Sequence, residues 1–174
     1  MTDETTTENK EAAAGAAQQP QTPPQMKMLG QFTRDLSFEN ISLMKGEPLE
    51  GQPTYTVGLN LDAKPIAENV YDLIMKIKVD GKTEKQQIFL LELDYVGRFQ
   101  VSNIQPEHVH PFLMVECARI LFPFARRIVT EVARDGGHGG MNLDAVDFVA
   151  LYRQELTRRV QQQAAAAAQE NKIS

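Results

Sequence analysis

A single cysteine, Cys117, is all the thiol chemistry available to this 174-residue chain. It excludes an internal disulfide and a Cys-rich zinc cluster, and a reducing, intracellular setting is the simplest expectation. Long apolar runs are missing too. None reaches the roughly 18 residues of a membrane helix, and the first 26 residues contain no apolar stretch of the secretory-signal kind. A cytoplasmic protein with neither signal nor span is expected. Basic charge is also scarce, since 18 Lys and Arg face 23 Asp and Glu, a formal net charge of -5. That argues against a broad nucleic-acid footprint and for an acidic face or basic partners. With 42% hydrophobic, 24% charged and only 7% aromatic residues, the composition fits one ordinary globular domain.

Catalytic motifs are equally sparse. No GxxxxGK[ST] loop is present, so nucleotide hydrolysis has no visible site. The GGHGG run at 136–140 offers backbone amides, yet it reads more simply as a flexible connection between helices. His108 and His110 lie two apart at a helix start and point to different sides, which disfavours a metal site with Glu116 and Cys117. Cys117 itself stands in an apolar helical stretch, where a cysteine behaves as a small buried hydrophobe. No enzyme, metal or cofactor is expected.

What is present is a core with two unlike ends. Residues 1–26 are rich in Thr, Ala, Gln and Pro and have too little to bury, so they read as a disordered tail. Residues 161–174 have high helix propensity but no apolar stripe, and read as a helical extension that frays. Between them, residues 27–160 form one domain. Its first half alternates with period two: Tyr55 to Ala63, Tyr71 to Val79, and Gln86 to Val96, preceded by Gln31 to Ile41, where Phe32, Leu36 and Phe38 share a face. Asp80-Gly81 looks like a hairpin turn. Four strands with hairpin signals predict an antiparallel sheet. From about Gln105 the period becomes helical, through Val109, Leu113, Ile120 or Leu121, Phe124, Ile128 and Val132, with a kink or break near Leu121-Phe122 imposed by Pro123. A second helix should start near Asp144 as N-cap, with Phe148, Leu151, Tyr152, Leu156 and Val160 as its stripe. Strands followed by helices define an α+β fold.

Charge is unevenly placed. Residues 27–97 hold 8 basic and 11 acidic side chains, whereas 98–160 hold 8 basic, all Arg, and 7 acidic. In suitable register, Asp35, Glu39 and Glu92 share one sheet face, with Leu90 as an apolar residue among them. The opposite face of the last strand, Leu91, Leu93 and Tyr95, needs a cover, either its own helices or a second subunit. The connection from Asn40 to Pro53 carries Ile41, Leu43, Met44 and Leu49, which suit an adaptable apolar surface or fold back onto the core.

The segments FTRDLSFEN at 32–40, VYDLIMKIKV at 70–79, ECARILFPFARRIVTEVARDGG at 116–137 and LDAVDFVALYRQEL at 143–156 resemble the SecB family of bacterial protein-export chaperones. The likeness runs from Gln31 to Leu156, and ILFPFARR is its most specific part. It implies a four-stranded antiparallel sheet, a long helix and a C-terminal helix, in a cytosolic homotetramer, a dimer of dimers. Such a holdase works without ATP on unfolded precursor proteins and passes them to the SecA motor. The resemblance also implies that Asp35, Glu39, Leu90 and Glu92 form the SecA-binding surface. It places Ile41, Leu43, Met44, Leu49, Met141, Phe148 and Tyr152 in the client groove, and Leu91, Leu93 and Tyr95 at the oligomer interface. Two segments depart from the family pattern: His138-Gly139-Gly140 replaces a Phe-Pro-Pro type connection and should be floppier, and Ile41-Ser42-Leu43 replaces a Pro-rich start of the long connection. A chaperone on the same fold dedicated to a toxin-antitoxin pair is the alternative; retention of the acidic set favours export.

Overall fold

A computed structural model of the chain describes residues 23–46 and 48–170, with side chains to residue 164. Four strands, β1 (Gln25–Asn40), β2 (Thr54–Ala67), β3 (Val70–Lys82) and β4 (Gln87–Ser102), form one sheet in the order β1-β4-β3-β2, every pair antiparallel. A short helix α1 (Ile41–Lys45) opens the connection from β1 to β2, the two edge strands. After β4 come α2 (Pro106–Phe112), a π-helical turn (Leu113–Cys117) and α3 (Ala118–Asp135), which together make one long helix; α4 (Phe148–Glu170) follows. The expected α+β architecture is present. Most of the expected tail, residues 1–22, and the last four residues lie outside the described residues. The N-terminal boundary moves, because Gln25 and Met26 already belong to β1 and pair with Ser102 and Val101.

The inner face of the sheet is the core. Leu91, Leu93, Tyr95, Phe99 and Val101 of β4 and Leu73, Met75, Ile77 and Val79 of β3 are buried together with Leu113, Met114, Cys117, Leu121, Phe122 and Val129 of the long helix. Three alanines, Ala118, Ala125 and Ala133, lie in the helix seam at 0% exposure, and small side chains there let the helix approach the sheet closely. The expected stripe is therefore offset by about one residue. Leu121 is buried, whereas Ile120 and Phe124 stand 41% and 40% exposed on another side of the helix.

The long helix is kinked but not broken. Helical structure continues past the exposed Pro123, and the irregularity is concentrated in the π-helical turn just before α3. Two local expectations shift. Asp80-Gly81 is strand: Gly81 pairs with Tyr55 and Phe89, and the turn forms at Thr83 to Gln86, where the Thr83 amide donates to the Gln86 carbonyl at 2.8 Å. Gly81 is needed for close approach, since a Cβ there would lie 2.8 Å from the Phe89 ring. The N-cap of α4 is Asp147, not Asp144, with its carboxylate accepting the amides of Val149 and Ala150 at 3.0 and 3.1 Å.

Phe32 also changes sides. An irregularity between Thr33 and Asp35 inserts an extra residue into β1, which reverses side-chain alternation, so Phe32 sits opposite Val96 on the outer face and not beside Leu36 and Phe38.

Candidate functional site

Two surfaces stand apart from the core. The first is the outer face of the sheet. Register places Glu39 opposite Leu90, and Leu90 opposite Asp80; one row further, Ser37, Glu92 and Lys78 align, and then Asp35, Asp94 and Lys76. Residues directly opposite in an antiparallel pair point the same way. Asp35, Glu39, Leu90 and Glu92 are therefore brought together on one side, with the half-buried Leu90 between two carboxylates. Period-two alternation carried that signal. Alternation does not show the cations on this face: Lys78 of β3 donates to Glu92 at 2.6 Å, and Arg34 of β1 donates to Asp94 at 2.6 Å. The Lys78 ammonium is held above its ordinary pKa first by the hydrogen bond it donates to Glu92, then by the Glu92 charge, with Asp80 and Glu39 adding attraction. Both ion pairs are solvent-exposed and of small consequence for stability. Among the described residues Asp35 and Glu39 have no ion-pair partner, so their charge is available to an approaching cation.

The second surface is apolar and begins at α1. A surface helix normally buries its apolar residues and exposes its polar ones; α1 does the reverse. Ser42 is 1% exposed, while Leu43 and Met44 are 50% and 86% exposed. The Ser42 hydroxyl is buried without a hydrogen-bond partner, a cost of about 1–3 kcal/mol by the usual desolvation penalty. Leu49, further along the connection, is 43% exposed, and Ile41 is half-buried.

The other groove residues separate from these. Met141 and Phe148 are each 2% exposed and belong to the core, with Phe148 edge-on to Phe122 at 5.7 Å between centroids. They are structural, because the segment before α4 must be pinned to the long helix. Tyr152 stands in a different cleft of about 380 Å³ between β2 and α4, lined also by Leu59, Leu61, His110, Met114 and Leu156, to which none of the described residues of the α1 connection contributes. There the Tyr152 hydroxyl lies 3.3 Å from His110 Nδ1. Burial lowers the His110 pKa, the Arg159 charge adds to that, and Asp62 opposes it.

Leu91, Leu93 and Tyr95 are 0%, 1% and 6% exposed within the single chain. The long helix of the same chain covers them, which removes them as an oligomer interface. Burial raises the Tyr95 pKa, partly offset by the nearby Arg127. Cys117 is fully buried with its Sγ 3.2 Å from Met26 Sδ, and burial, then the Glu116 charge, push its thiol up to about 12.

The two segments that depart from the family pattern lie against each other. His138 is 6% exposed and stacks on Phe89 at 4.8 Å, so the Gly-rich turn meets the sheet at this ring. Asn40 Nδ2 donates to the Gly136 carbonyl at 2.7 Å, and His138 Nε2 lies 3.3 Å from Asn40 Oδ1. Sequence separation hid this contact.

An antiparallel sheet with a charged outer face, backed by one long helix and flanked by a short helix that displays Leu and Met, defines a binding protein of the chaperone class. The profile of the family described as "Preprotein translocase subunit SecB" matches residues 18–159. A "Protein-export protein SecB" of Jannaschia sp. is 49% identical over 160 residues, which is 89% of this chain and 94% of the relative. Another from Dinoroseobacter shibae is 49% identical over 173 residues, 98% of this chain and 99% of the relative. A solved SecB-like chaperone of Mycobacterium tuberculosis, in complex with a peptide from an antitoxin, has a TM-score of 0.59 at 8% identity, covering 70% of this chain and 90% of that one. That likeness establishes the fold. The chain belongs to the SecB family of protein-export chaperones.

Proposed function

We propose that the chain is an ATP-independent cytoplasmic holdase, not an enzyme, which holds unfolded precursor proteins through its apolar connection and delivers them to SecA through its acidic sheet face. The observation that carries client capture is the inverted helix α1, which buries Ser42 and presents Leu43 and Met44. An unfolded chain offers many weak apolar contacts, and several copies of such a surface on one particle raise affinity through effective concentration. A homotetramer built as a dimer of dimers fits that requirement. With Leu91, Leu93 and Tyr95 committed to the core, the exposed Ile120 and Phe124 of the long helix are the side chains we assign to contacts between copies. Tyr152 contributes a second apolar contact in its own cleft.

Delivery rests on Asp35, Glu39, Leu90 and Glu92. Exposed carboxylates around one apolar residue favour fast, salt-sensitive docking of a basic partner over tight storage. The test is the triple charge reversal Asp35→Lys, Glu39→Lys, Glu92→Lys. Binding of SecA should fall at least about tenfold while capture of an unfolded precursor stays unchanged, since like-charge juxtaposition costs several kcal/mol. Equal SecA affinity in that variant would refute the docking assignment.

A further inference from the structure

We propose that His138 and Asn40 form a latch that fixes α1 on the turn after α3, making them positioning residues for the presentation of Leu43 and Met44 to client chains; the inference rests on the holdase reading above.

The latch has matched parts on both sides. Asn40 ends β1 immediately before α1, and its side chain spans to the far end of the molecule's long helix: Nδ2 donates to the Gly136 carbonyl at 2.7 Å. That use of Nδ2 leaves Oδ1 as acceptor, so His138 Nε2, 3.3 Å away, carries the proton that completes the pair. The His138 ring is stacked on Phe89 at 4.8 Å and tilted against Phe38 at 6.4 Å. Its own backbone is fixed, the amide donating to the Ala133 carbonyl at 2.8 Å. The glycines make the approach possible: a Cβ on Gly136 would collide with the Phe38 ring, and one on Gly137, which has φ +86°, would lie 2.8 Å from Leu43 Cδ1. Leu43 therefore rests on the turn with one side and faces solvent with the other.

An exposed apolar side chain on a free five-residue helix would have to be ordered by each client, at a cost in binding. Prior ordering by the latch removes that cost. Among the described residues, His138 makes its ring contacts with Phe38 and Phe89 and its side-chain hydrogen bond with Asn40, while its amide meets the Ala133 carbonyl of α3. Burial alone lowers the ring's pKa from its ordinary 6.5.

The experiment is equilibrium binding of the full chain to reduced, carboxymethylated lactalbumin, a permanently unfolded protein. His138→Ala and Asn40→Ala should each weaken binding about fivefold, the worth of one hydrogen bond. His138→Gln, whose amide nitrogen can take the place of Nε2 as donor to Asn40 Oδ1, should retain binding. In a Leu43→Ser, Met44→Ser background, His138→Ala should have no further effect. The latch is overturned if Asn40→Ala and His138→Ala bind as well as the unaltered chain, or if His138→Ala costs as much in the Leu43→Ser, Met44→Ser background. Should the unaltered chain itself fail to bind the probe, the holdase reading falls first and the latch with it.

Discussion

Replacing Leu43 and Met44 together by serine removes the apolar surface that α1 displays. Full burial of a Leu or Met side chain is worth roughly 1.5–3 kcal/mol. Met44 has 86% of its surface still open and Leu43 has 50%, so the pair can supply at most about 2–4 kcal/mol to a client that covers both. An unfolded chain covers them incompletely and loses conformational freedom in doing so. A tenfold to thirtyfold loss, about 1.4–2 kcal/mol, is the expected outcome. Titration calorimetry or fluorescence anisotropy with an unfolded precursor measures it directly. Because both side chains are largely outside the core, the unfolding free energy from urea denaturation should stay within about 0.5 kcal/mol of the unaltered chain. SecA binding should not change, since neither residue lies on the sheet's outer face. Unaltered client affinity in the double variant would refute the assignment of α1 as a capture surface.

Two further outcomes test the framework around these surfaces. Asp147→Ala removes the acceptor for the amides of Val149 and Ala150 and should cost about 1 kcal/mol in urea denaturation, the usual worth of an N-cap. Cys117, with its thiol pushed up to about 12, should resist thiol reagents at pH 8 in the native protein and react rapidly in urea. Because its folded pKa is raised, its contribution to stability is complete below the unfolded value near 8.5 and declines as the pH climbs above that. Cys117→Ala should flatten that alkaline decline in a series of denaturation curves.

Local periodicity made much of the molecule legible before its structure. The four strands follow from alternation at Tyr55 to Ala63, Tyr71 to Val79 and their neighbours, and the shared face of Asp35, Glu39, Leu90 and Glu92 needed only strand parity and register. Phe32 defeated the same rule because a single extra residue in β1 inverts alternation, and nothing in FTRDLSF marks its position. Asp80-Gly81 resembled a turn because the dipeptide favours one; the demand it meets is room for the Phe89 ring. The helix seam runs along three alanines that lie on the sheet, and a stripe of large apolar residues does not reveal it. At the two candidate surfaces the limit is distance along the chain. Whether Leu91, Leu93 and Tyr95 meet their own helix or another subunit depends on where that helix packs. The contact of Asn40 with Gly136 and His138 joins segments nearly a hundred residues apart.

The central claim is that an assembled particle takes up unfolded clients without nucleotide, and sedimentation velocity of the purified chain with and without a denatured precursor tests it most directly. A species of about four times 19.5 kDa that sediments faster on adding precursor, with no ATP present, is the result expected. A particle of that size that leaves the precursor sedimenting separately, or a lone 19.5 kDa chain, would contradict it.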